Sequence, residues 1–269
     1  MHVLLIAADS PVGSALQSTL ARWGRHKVST VTQSASRWKS ERQAKKTARR
    51  AGAEIIVDLR IPQLMASGES VQPIDVQRTH WLAKVCRRSA IPYCYLSDPR
   101  VFSGSLGHSY REKEVPDADD ALGTVLIEAE RHVREISDDH LVLRLGPLFA
   151  AFDRNMLTDV LVSLSTPDPL VVDDLDQLCP VEAGDAARVI SGLLDQLDAG
   201  AEARGTFHYN SPDRTTAYGF AEAVLAAASQ FVHVADDAIV RPAHDPERGA
   251  RIWSLDCRDI RDTVRQYLA

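Results

Sequence analysis

Residues 2–24 read HVLLIAADSPVGSALQSTLARWG, and this stretch decides the fold. After the leading histidine, residues 3–8 are apolar on both faces, which is typical of a strand buried from both sides of a sheet. The rest carries the signals of a capped, amphipathic helix closed by a glycine, at Ser10, Pro11, Val12, Leu16, Leu20, Trp23 and Gly24. A buried strand that leads directly into a helix predicts the first βα unit of a parallel sheet.

The same alternation continues along the chain. Further strands are predicted over 27–32, 53–60, 91–97 and 140–149, with helices over 34–52, 72–90 and 119–137 between them. This order predicts an α/β fold with a doubly wound, Rossmann-type parallel sheet. The pattern becomes less regular after residue 150. We therefore expect a first domain over 1–150 and a second, smaller lobe over 151–269 that packs on it.

Composition excludes several classes of function. The 269 residues are 45% apolar and 25% charged with a net charge of −6, which argues against nucleic-acid binding through phosphates. No apolar run reaches the length of a membrane span, and the apolar run near the N-terminus is too short for a signal sequence. The four cysteines form no CxxC pair, so we expect reduced thiols, no zinc site and a cytoplasmic location.

The turn after the first strand is the place where such a fold binds a pyrophosphate. A GxxGxxG fingerprint falls on AADSPVG, residues 7–13, of which only Gly13 is a glycine. Ala7 and Ser10 are small enough for a phosphate to approach, although a β-carbon is costly where φ must be positive. The candidate cofactor-binding residues are Ala7, Ser10, Pro11, Val12 and Gly13, and the alternative is a plain βα turn with a capped helix.

The end of the second strand faces the adenosine ribose in these folds. No acidic residue stands there, and Ser34 and Arg37 follow instead. An arginine accommodates a 2′-phosphate, so this segment favours NADP(H) if a dinucleotide binds at all. The alternative is a solvated, basic helix face.

Five segments in the same order resemble the extended short-chain dehydrogenase/reductase superfamily, and within it dTDP-4-dehydrorhamnose reductase and its sugar-nucleotide-binding relatives. They are YLSDPRVFSG at 95–104, YREKEVPDADDALGTVLIEAE at 110–130, LVLRLGPLF at 141–149, GTFHYNSPDRTTAYGFAEAVL at 205–225 and RPAHDPERGARIWSLD at 241–256. The resemblance covers most of the chain. It implies a Rossmann-type NAD(P)-binding domain over 1–150 and a small C-terminal lobe over 151–269 that binds the sugar nucleotide, with some segments of the lobe returning to the first domain.

The resemblance also implies a catalytic set that this chain keeps only in part. The superfamily uses a tyrosine to move a proton, a lysine four residues later to lower the tyrosine pKa, and a serine or threonine to position the carbonyl. Ser97 stands in the serine position, while Leu122 and Leu126 occupy the tyrosine and lysine positions. Leucine moves no proton, so most of the acid–base catalysis should be lost, about 10²–10⁴-fold.

The resemblance implies further site residues. Asp98, Gln177, Pro180 and Arg241 correspond to the substrate-binding positions, and an arginine offers a bidentate grip on a diphosphate. The alternative for Arg241 is a surface salt bridge. Tyr110 is a weak candidate to replace the missing tyrosine.

No metal site is expected. The histidines are scattered, and the acidic residues Asp173, Asp174 and Asp176 are expected in a solvated loop.

Three functions remain open. The first is a non-catalytic or impaired NADP(H)- or nucleotide-sugar-binding or regulatory protein, in which NADP(H) binds weakly or not at all. A precedent in the superfamily is the regulatory β subunit of methionine adenosyltransferase, which serves a partner enzyme. The second is an active NADPH-dependent reductase of a nucleotide-linked 4-keto sugar, and the third is an interaction protein with an empty pocket. A protein partner or a homodimer is compatible with all three.

Overall fold

A computed structural model describes residues 1–257 apart from Pro167, Asp236 and Pro246. Its strands are β1 (His2–Ile6), β2 (Lys27–Val31), β3 (Ile55–Asp58), β4 (Tyr93–Ser97), β5 (His140–Leu145), β6 (Leu148–Phe149), β7 (Leu170–Val171), β8 (Gln177–Leu178), β9 (Val181–Glu182), β10 (Gly205–Tyr209), β11 (Thr215–Thr216), β12 (Ile239–Val240) and β13 (Ile252–Trp253). Its helices are α1 (Pro11–Trp23), α2 (Glu41–Ala51), α3 (Arg60–Ala66), α4 (Pro73–Ser89), α5 (Ala121–Ile136), α6 (Met156–Ser163), α7 (Ala183–Asp198) and α8 (Ala217–Ala228).

The central sheet has six parallel strands in the order β10-β5-β4-β3-β1-β2. Helices α1 and α7 pack against each other, as do α2, α4 and α5. Strands β3 and β4 are buried along their whole length, as strands covered on both faces must be. The predicted α/β, Rossmann-type parallel sheet is confirmed.

The ends of the elements follow from local sequence. Ser10 caps α1 through a hydrogen bond from the Gly13 amide, and Gly24 ends the helix in the left-handed conformation with φ of 61°. Asp120 caps α5 in the same way. These caps place the first turns of α1 and α5 at the carboxyl edge of the sheet, where ligands of such folds bind.

Two helices are missing from the sequence-based prediction, and a third begins later than predicted. Helix α3 directly follows β3 and carries Pro62 in its first turn, where proline is tolerated. Helix α6 begins at a capping box on Asn155. The basic helix predicted over 34–52 starts at Glu41, because residues 34–40 form turns instead.

The C-terminal half contributes both to the central sheet and to a small lobe. Strand β10 pairs with β5, and α7 packs on α1. The lobe consists of two-residue strands and the helices α6 and α8, around the buried side chains of Val160, Ala221 and Ile239. Within the described residues, no helix combines the length and apolar character needed to cross a membrane.

Candidate functional site

The turn after β1 lies at the switch point of the sheet, since β2 and β3 flank β1 on opposite sides. Ala7 adopts φ of 58° in this turn, in the left-handed region that favours glycine. An L-residue there costs about 1–2 kcal/mol. Residue 7 therefore has the backbone conformation that a glycine would adopt without strain, but it is an alanine.

Ser10 closes the turn with hydrogen bonds of its own. Its hydroxyl donates to the Ala7 carbonyl oxygen over 2.7 Å and accepts from the Gly13 amide over 3.0 Å. The next residue, Pro11, has no amide hydrogen. Of the backbone amides at the start of α1, which usually bind an anion, that of Pro11 is thus missing and that of Gly13 is already engaged.

Gly13 is explained by packing alone. A β-carbon at Gly13 would lie 2.7 Å from the carbonyl oxygen of Ala8 and 2.8 Å from that of Ala7. Glycine is therefore required for α1 to approach the end of β1, whether or not a phosphate binds there.

The cleft beside this turn is narrow. It has room for about one water molecule, about 10 Å³, in this structure. Its lining is almost entirely apolar and comes from the start of α1, from α3 and its preceding residue, from β4 and from the segment around β6. The lining residues are Ser10, Pro11, Val12, Leu59, Pro62, Gln63, Ala66, Leu96, Leu148, Phe149, Ala150 and Asn155. A diphosphate carries negative charge and needs hydrogen-bond donors, which this apolar lining does not supply, so the residues of the cleft do not fit that group in this arrangement.

The segment after β2 is also occupied by internal contacts. Arg37 forms an exposed ion pair of 3.0 Å with Glu69, and the Ser34 hydroxyl lies 3.1 Å from that of Thr32. Both residues are exposed but precede α2, so they lie in a solvated turn and not on the helix face considered as the alternative. Trp38 is buried with the Arg60 guanidinium 6.0 Å from its ring centre, so an indole packs between the segments that follow β2 and β3.

A larger cavity of about 240 Å³ opens at the carboxyl ends of β4 and β5. Ser97, Asp98, Arg100 and Asp159 form its polar wall, facing apolar residues of α3 and the β5–β6 segment. Asp98 accepts from the Arg100 Nε over 3.0 Å and raises the pKa of Arg100. The cavity therefore holds a cation that is part of an ion pair and is still 37% exposed.

Arg100 and Asp159 were missed from the sequence. Arg100 follows the predicted strand at 91–97 by three residues, and a charge at the carboxyl end of a parallel strand is a signal that could have found it. Asp159 lies on α6, which was not predicted, so no comparable signal existed.

Ser97 points into a buried polar network as well as lining the cavity. Its hydroxyl donates to Glu130 over 2.6 Å. Glu130 also accepts two hydrogen bonds from Arg144, at 2.8 and 2.7 Å, and one from Arg134 at 2.7 Å. Arg144 lies 3.1 Å from the Nε2 atom of His208. This network connects α5 to β4, β5 and β10.

The network sets the charge of its members. Burial alone would raise the pKa of Glu130, but hydrogen bonding and charge from Arg144, with help from Arg134 and Ser97, lower it. Burial and the Arg144 guanidinium lower the pKa of His208 to about 3, so this imidazole is neutral near pH 7. Ser97 is therefore hydrogen-bonded to a buried carboxylate.

Leu122 and Leu126 lie on the first turns of α5. Leu126 is fully buried in the core, and Leu122 is half-buried against it. A β-carbon at the intervening Gly123 would lie 3.0 Å from the Arg100 carbonyl oxygen, so this end of α5 packs tightly under the turn after β4. Among the described residues, the cavity lining includes neither leucine.

Tyr110 does not reach the cavity either. Its ring stacks on Phe102 with centres 4.0 Å apart, and its hydroxyl is buried. Its backbone accepts from Asp256 and donates to Ser254. The structure gives Tyr110 a packing role, and it does not support the weak prediction that this tyrosine replaces the missing one.

The remaining predicted substrate-binding residues lie in the C-terminal half. Gln177 begins β8 and accepts a long hydrogen bond of 3.4 Å from Arg214, and Pro180 is buried beside β9. Arg241 forms a 3.2 Å salt bridge with Asp174 and lies over the Tyr218 ring at 4.5 Å. The structure thus has Arg241 in the salt bridge considered as its alternative role, with 60% of its side chain still exposed.

The acidic segment lies in a partly exposed loop, as predicted, but its carboxylates form ion pairs that the sequence did not indicate. Asp173 and Asp176 both bind Arg248, at 2.9 and 2.5 Å, while Asp174 binds His244 as well as Arg241. These contacts tie the loop after β7 to the segment after β12. Within the described ranges, no group of three or more potential metal ligands comes together.

The RmlD substrate binding domain, as a family, matches residues 1–266. The chain belongs to this family. The resemblance inferred from the five segments is confirmed, and the match covers the RmlD-like chain almost from end to end.

Relatives with assigned names are distant. The chain is 28% identical over 178 residues to the probable low-salt glycan biosynthesis reductase Agl14 of Haloferax volcanii, which covers 62% of this chain and 57% of that protein. It is 24% identical over 196 residues to methionine adenosyltransferase 2 subunit beta of Bos taurus, covering 70% of this chain and 57% of the relative. It is 24% identical over 196 residues to dTDP-4-dehydrorhamnose reductase of Burkholderia thailandensis, covering 67% of this chain and 66% of that protein. The chain thus spans less than two thirds of the length of these relatives.

Solved structures agree in fold. The dTDP-4-dehydrorhamnose reductase of Bacillus anthracis in complex with NADP superposes with a TM-score of 0.77 at 15% identity, covering 97% of this chain and 91% of that one. The corresponding protein of Clostridium acetobutylicum gives 0.77 at 17% identity, with coverages of 98% and 93%. At these identities the likeness shows the fold alone.

Proposed function

We propose that this RmlD-like protein is a non-catalytic or strongly impaired member of its family that acts as a binding or regulatory protein. The observation that carries the proposal is the first half of α5, where Leu122 and Leu126 stand in place of the proton donor and its lysine. Neither side chain can move a proton or hold a charge, and Leu126 is fully buried. General acid–base catalysis typically contributes about 10²–10⁴-fold, and the family mechanism loses it here.

The geometry of the cleft supports weak or absent NADP(H) binding. The Ser10 hydroxyl and the Gly13 amide already bind each other, and α3 with β6 narrows the cleft to about 10 Å³. Asp9, in the same turn, accepts from the Gln33 amide over 2.6 Å, so a carboxylate occupies the neighbourhood of the would-be phosphates. The negative charge of Asp9 repels the negative charge of a diphosphate and so opposes its binding.

The wider cavity supports a small polar ligand, or part of a larger one. It encloses about 240 Å³ and presents the Arg100 guanidinium beside two carboxylates. A nucleotide-linked sugar is the ligand class of the named reductases, and its sugar moiety is of the size that such a cavity accepts. We therefore propose that the chain binds a nucleotide-linked sugar and that Ser97, Asp98 and Arg100 contact the sugar.

A regulatory role rests on the relatives as well as on the missing catalytic pair. Methionine adenosyltransferase 2 subunit beta is by its name a subunit that works with another chain, and it aligns with 70% of this chain. The four cysteines are buried and form no disulfide, which supports a reducing, cytoplasmic location.

Turnover of dTDP-4-dehydrorhamnose with NADPH tests the proposal directly. We expect NADPH consumption no faster than in the absence of protein. Stoichiometric oxidation of NADPH with sugar reduction, at a rate of order 1 s⁻¹ or more, would overturn it. A working reductase run in parallel shows that the sugar is competent.

The polar wall of the wider cavity favours one second candidate, an active NADPH-dependent reductase of a nucleotide-linked 4-keto sugar. Asp98 lies in that wall beside Ser97, and a carboxyl group can donate a proton. If turnover is seen, the variant Asp98→Asn distinguishes this mechanism. Loss of turnover would assign the proton to Asp98, and retained turnover would exclude it.

A further inference from the structure

Helix α2 carries a row of positive charge on its outward face. The helix packs against α4, and its buried residues are the small side chains of Ala44 and Ala48. Five exposed cations, which we call the basic stripe, lie on the opposite side: Arg42, Lys45, Lys46, Arg49 and Arg50. Their spacing of i, i+3, i+4, i+7 and i+8 brings them together along one side of the helix.

The basic stripe has no counter-charge within the part of the chain that the structure describes. None of its five members forms an ion pair there, and the one carboxylate of the helix, Glu41, binds Arg88 and Lys84 of α4 instead. On α5, in contrast, Arg131 pairs with Glu135 one turn later. Like charges three and four residues apart destabilise a helix, so the stripe weakens α2 unless an anion neutralises it.

The charge of the whole chain favours a small acidic partner over an extended one. The net charge is −6 although the stripe contributes five positive charges, so the rest of the chain is more acidic still. Charges are screened over about 8 Å in physiological salt, and the stripe is only about 12 Å long. A nucleic-acid duplex or a lipid bilayer extends far beyond the stripe and meets the acidic remainder of the surface, whereas a short acidic segment meets the stripe alone.

The composition of α2 also disfavours a lipid surface. Helices that bind membranes combine a basic face with large apolar side chains that enter the lipid. The other residues of α2 are Glu41, Gln43, Thr47 and alanines, and none of them is a large apolar residue. Arginine and lysine form charge-assisted hydrogen bonds with carboxylates, and arginine does so with two parallel bonds. The stripe is therefore suited to carboxylates presented by a protein.

We propose that the basic stripe of α2 binds a short segment rich in aspartate and glutamate on a partner protein. The carboxylates of that segment neutralise the row of cations. Lys45, Lys46 and Arg49 contribute most, because each has further cations of the stripe on both sides along the helix. No member of the stripe lines either of the two cavities described above, so the partner does not compete directly with a ligand bound in them.

Fluorescence anisotropy of a labelled decaglutamate peptide, titrated with the full chain, tests the proposal. We expect saturable binding with a dissociation constant below about 1 mM at about 50 mM salt, and weaker binding at about 200 mM. Lys45→Glu combined with Arg49→Glu reverses two charges of the stripe and should raise the dissociation constant about 10-fold or more. The matched control, Arg22→Glu combined with Arg188→Glu, changes the net charge equally at exposed positions of α1 and α7. Thermal unfolding checks that both double variants fold.

Each outcome decides the proposal. Peptide binding that the stripe variant loses and the control keeps supports it. Absence of binding by the wild type overturns it, and so does any result in which the stripe variant loses no more affinity than the control. The same titration is made with a mixed-sequence oligonucleotide and with vesicles of phosphatidylserine and phosphatidylcholine. Tighter binding of either than of the peptide overturns the proposal too, because the stripe would then serve a nucleic acid or a membrane. Turnover and NADPH binding are measured separately, so failure here leaves the proposed function untouched.

Discussion

The two halves of helix α5 differ in the chemistry they hold. The second half carries Glu130, which is fully buried and bound by Ser97, Arg134 and Arg144. The first half carries Leu122 and Leu126 at the positions that the resemblance assigns to a tyrosine and a lysine. The second half thus joins the helix to the sheet through a buried, hydrogen-bonded carboxylate, whereas the first half contributes apolar packing. A buried ion pair stabilises the fold whether or not a reaction takes place, so this contact does not depend on catalysis.

The largest expected effect comes from breaking the polar half. Glu130→Ala leaves the Arg144 guanidinium buried without its carboxylate, and removing one partner of a buried pair typically costs about 3–5 kcal/mol. We expect a loss of this size in the free energy of unfolding from urea titration. Glu135→Ala on the same helix is the control, because its ion pair with Arg131 is exposed and worth about 0–1 kcal/mol. Equal effects of the two substitutions would contradict the assignment.

The apolar half is tested by restoring the lysine. Leu126→Lys puts an ammonium group in a fully buried position, and we expect a loss of about 3 kcal/mol or more in unfolding free energy. Thr124→Lys, two residues earlier and exposed, should change stability by only about 0.5 kcal/mol. If Leu126→Lys is tolerated as well as Thr124→Lys, position 126 faces solvent and the comparison between the halves fails.

His208 predicts how stability depends on pH. Its pKa is about 3 in the folded chain and near 6.5 when unfolded, so the unfolded state binds more protons between these values. Its contribution is complete above pH 6.5 and is lost as the pH falls towards 3, at about 1.4 kcal/mol per pH unit for one proton. In His208→Gln the slope of unfolding free energy against pH should fall by about one proton in this window. An unchanged slope would show that the proton taken up on unfolding binds to a group other than His208.

The smallest expected effect comes from replacing Ala7, the residue with a positive φ in the turn after β1. Ala7→Gly removes the strain of a left-handed alanine and should stabilise the chain by about 0.5–1 kcal/mol after the entropy of glycine is subtracted. Ala8→Gly is the matched control, because Ala8 is also buried and is not among the positive-φ residues. It should destabilise by about 0.5–1 kcal/mol. Thermal unfolding measures both, and a loss in Ala7→Gly would contradict the strain.

The fold of the first 150 residues could be predicted well from the sequence because its signals are local. The apolar run at residues 3–8 predicts a strand buried on both faces, and Ser10 with Pro11 predicts the helix that follows. Helix α3 could not be predicted in the same way, because its seven residues carry little periodicity and include Pro62. Its existence depends on packing against β4 and β6, which no local pattern records.

The sequence could predict which residues belong to the candidate site, but it predicted less well how these residues are arranged in space. The positions of Ser97, Leu122 and Leu126 came from matching segments, and the positive φ of Ala7 follows from a glycine expected at that place. The narrowing of the cleft by α3 and β6 depends on residues about 50 and 140 positions further along the chain. The ion pair of Arg37 with Glu69 is equally non-local. Such contacts require the assembled fold.

Titration of the purified chain with NADPH, followed by nicotinamide fluorescence with NADH as comparison, tests the central claim most directly. The account predicts no saturation at micromolar cofactor, because Ser10 already binds Ala7 and Gly13 in the turn after β1, and the cleft beside this turn is narrow and apolar. Saturable binding in the micromolar range would contradict it. The cleft would then have to open on binding, and the chain would have to be treated as a loaded dinucleotide-binding protein.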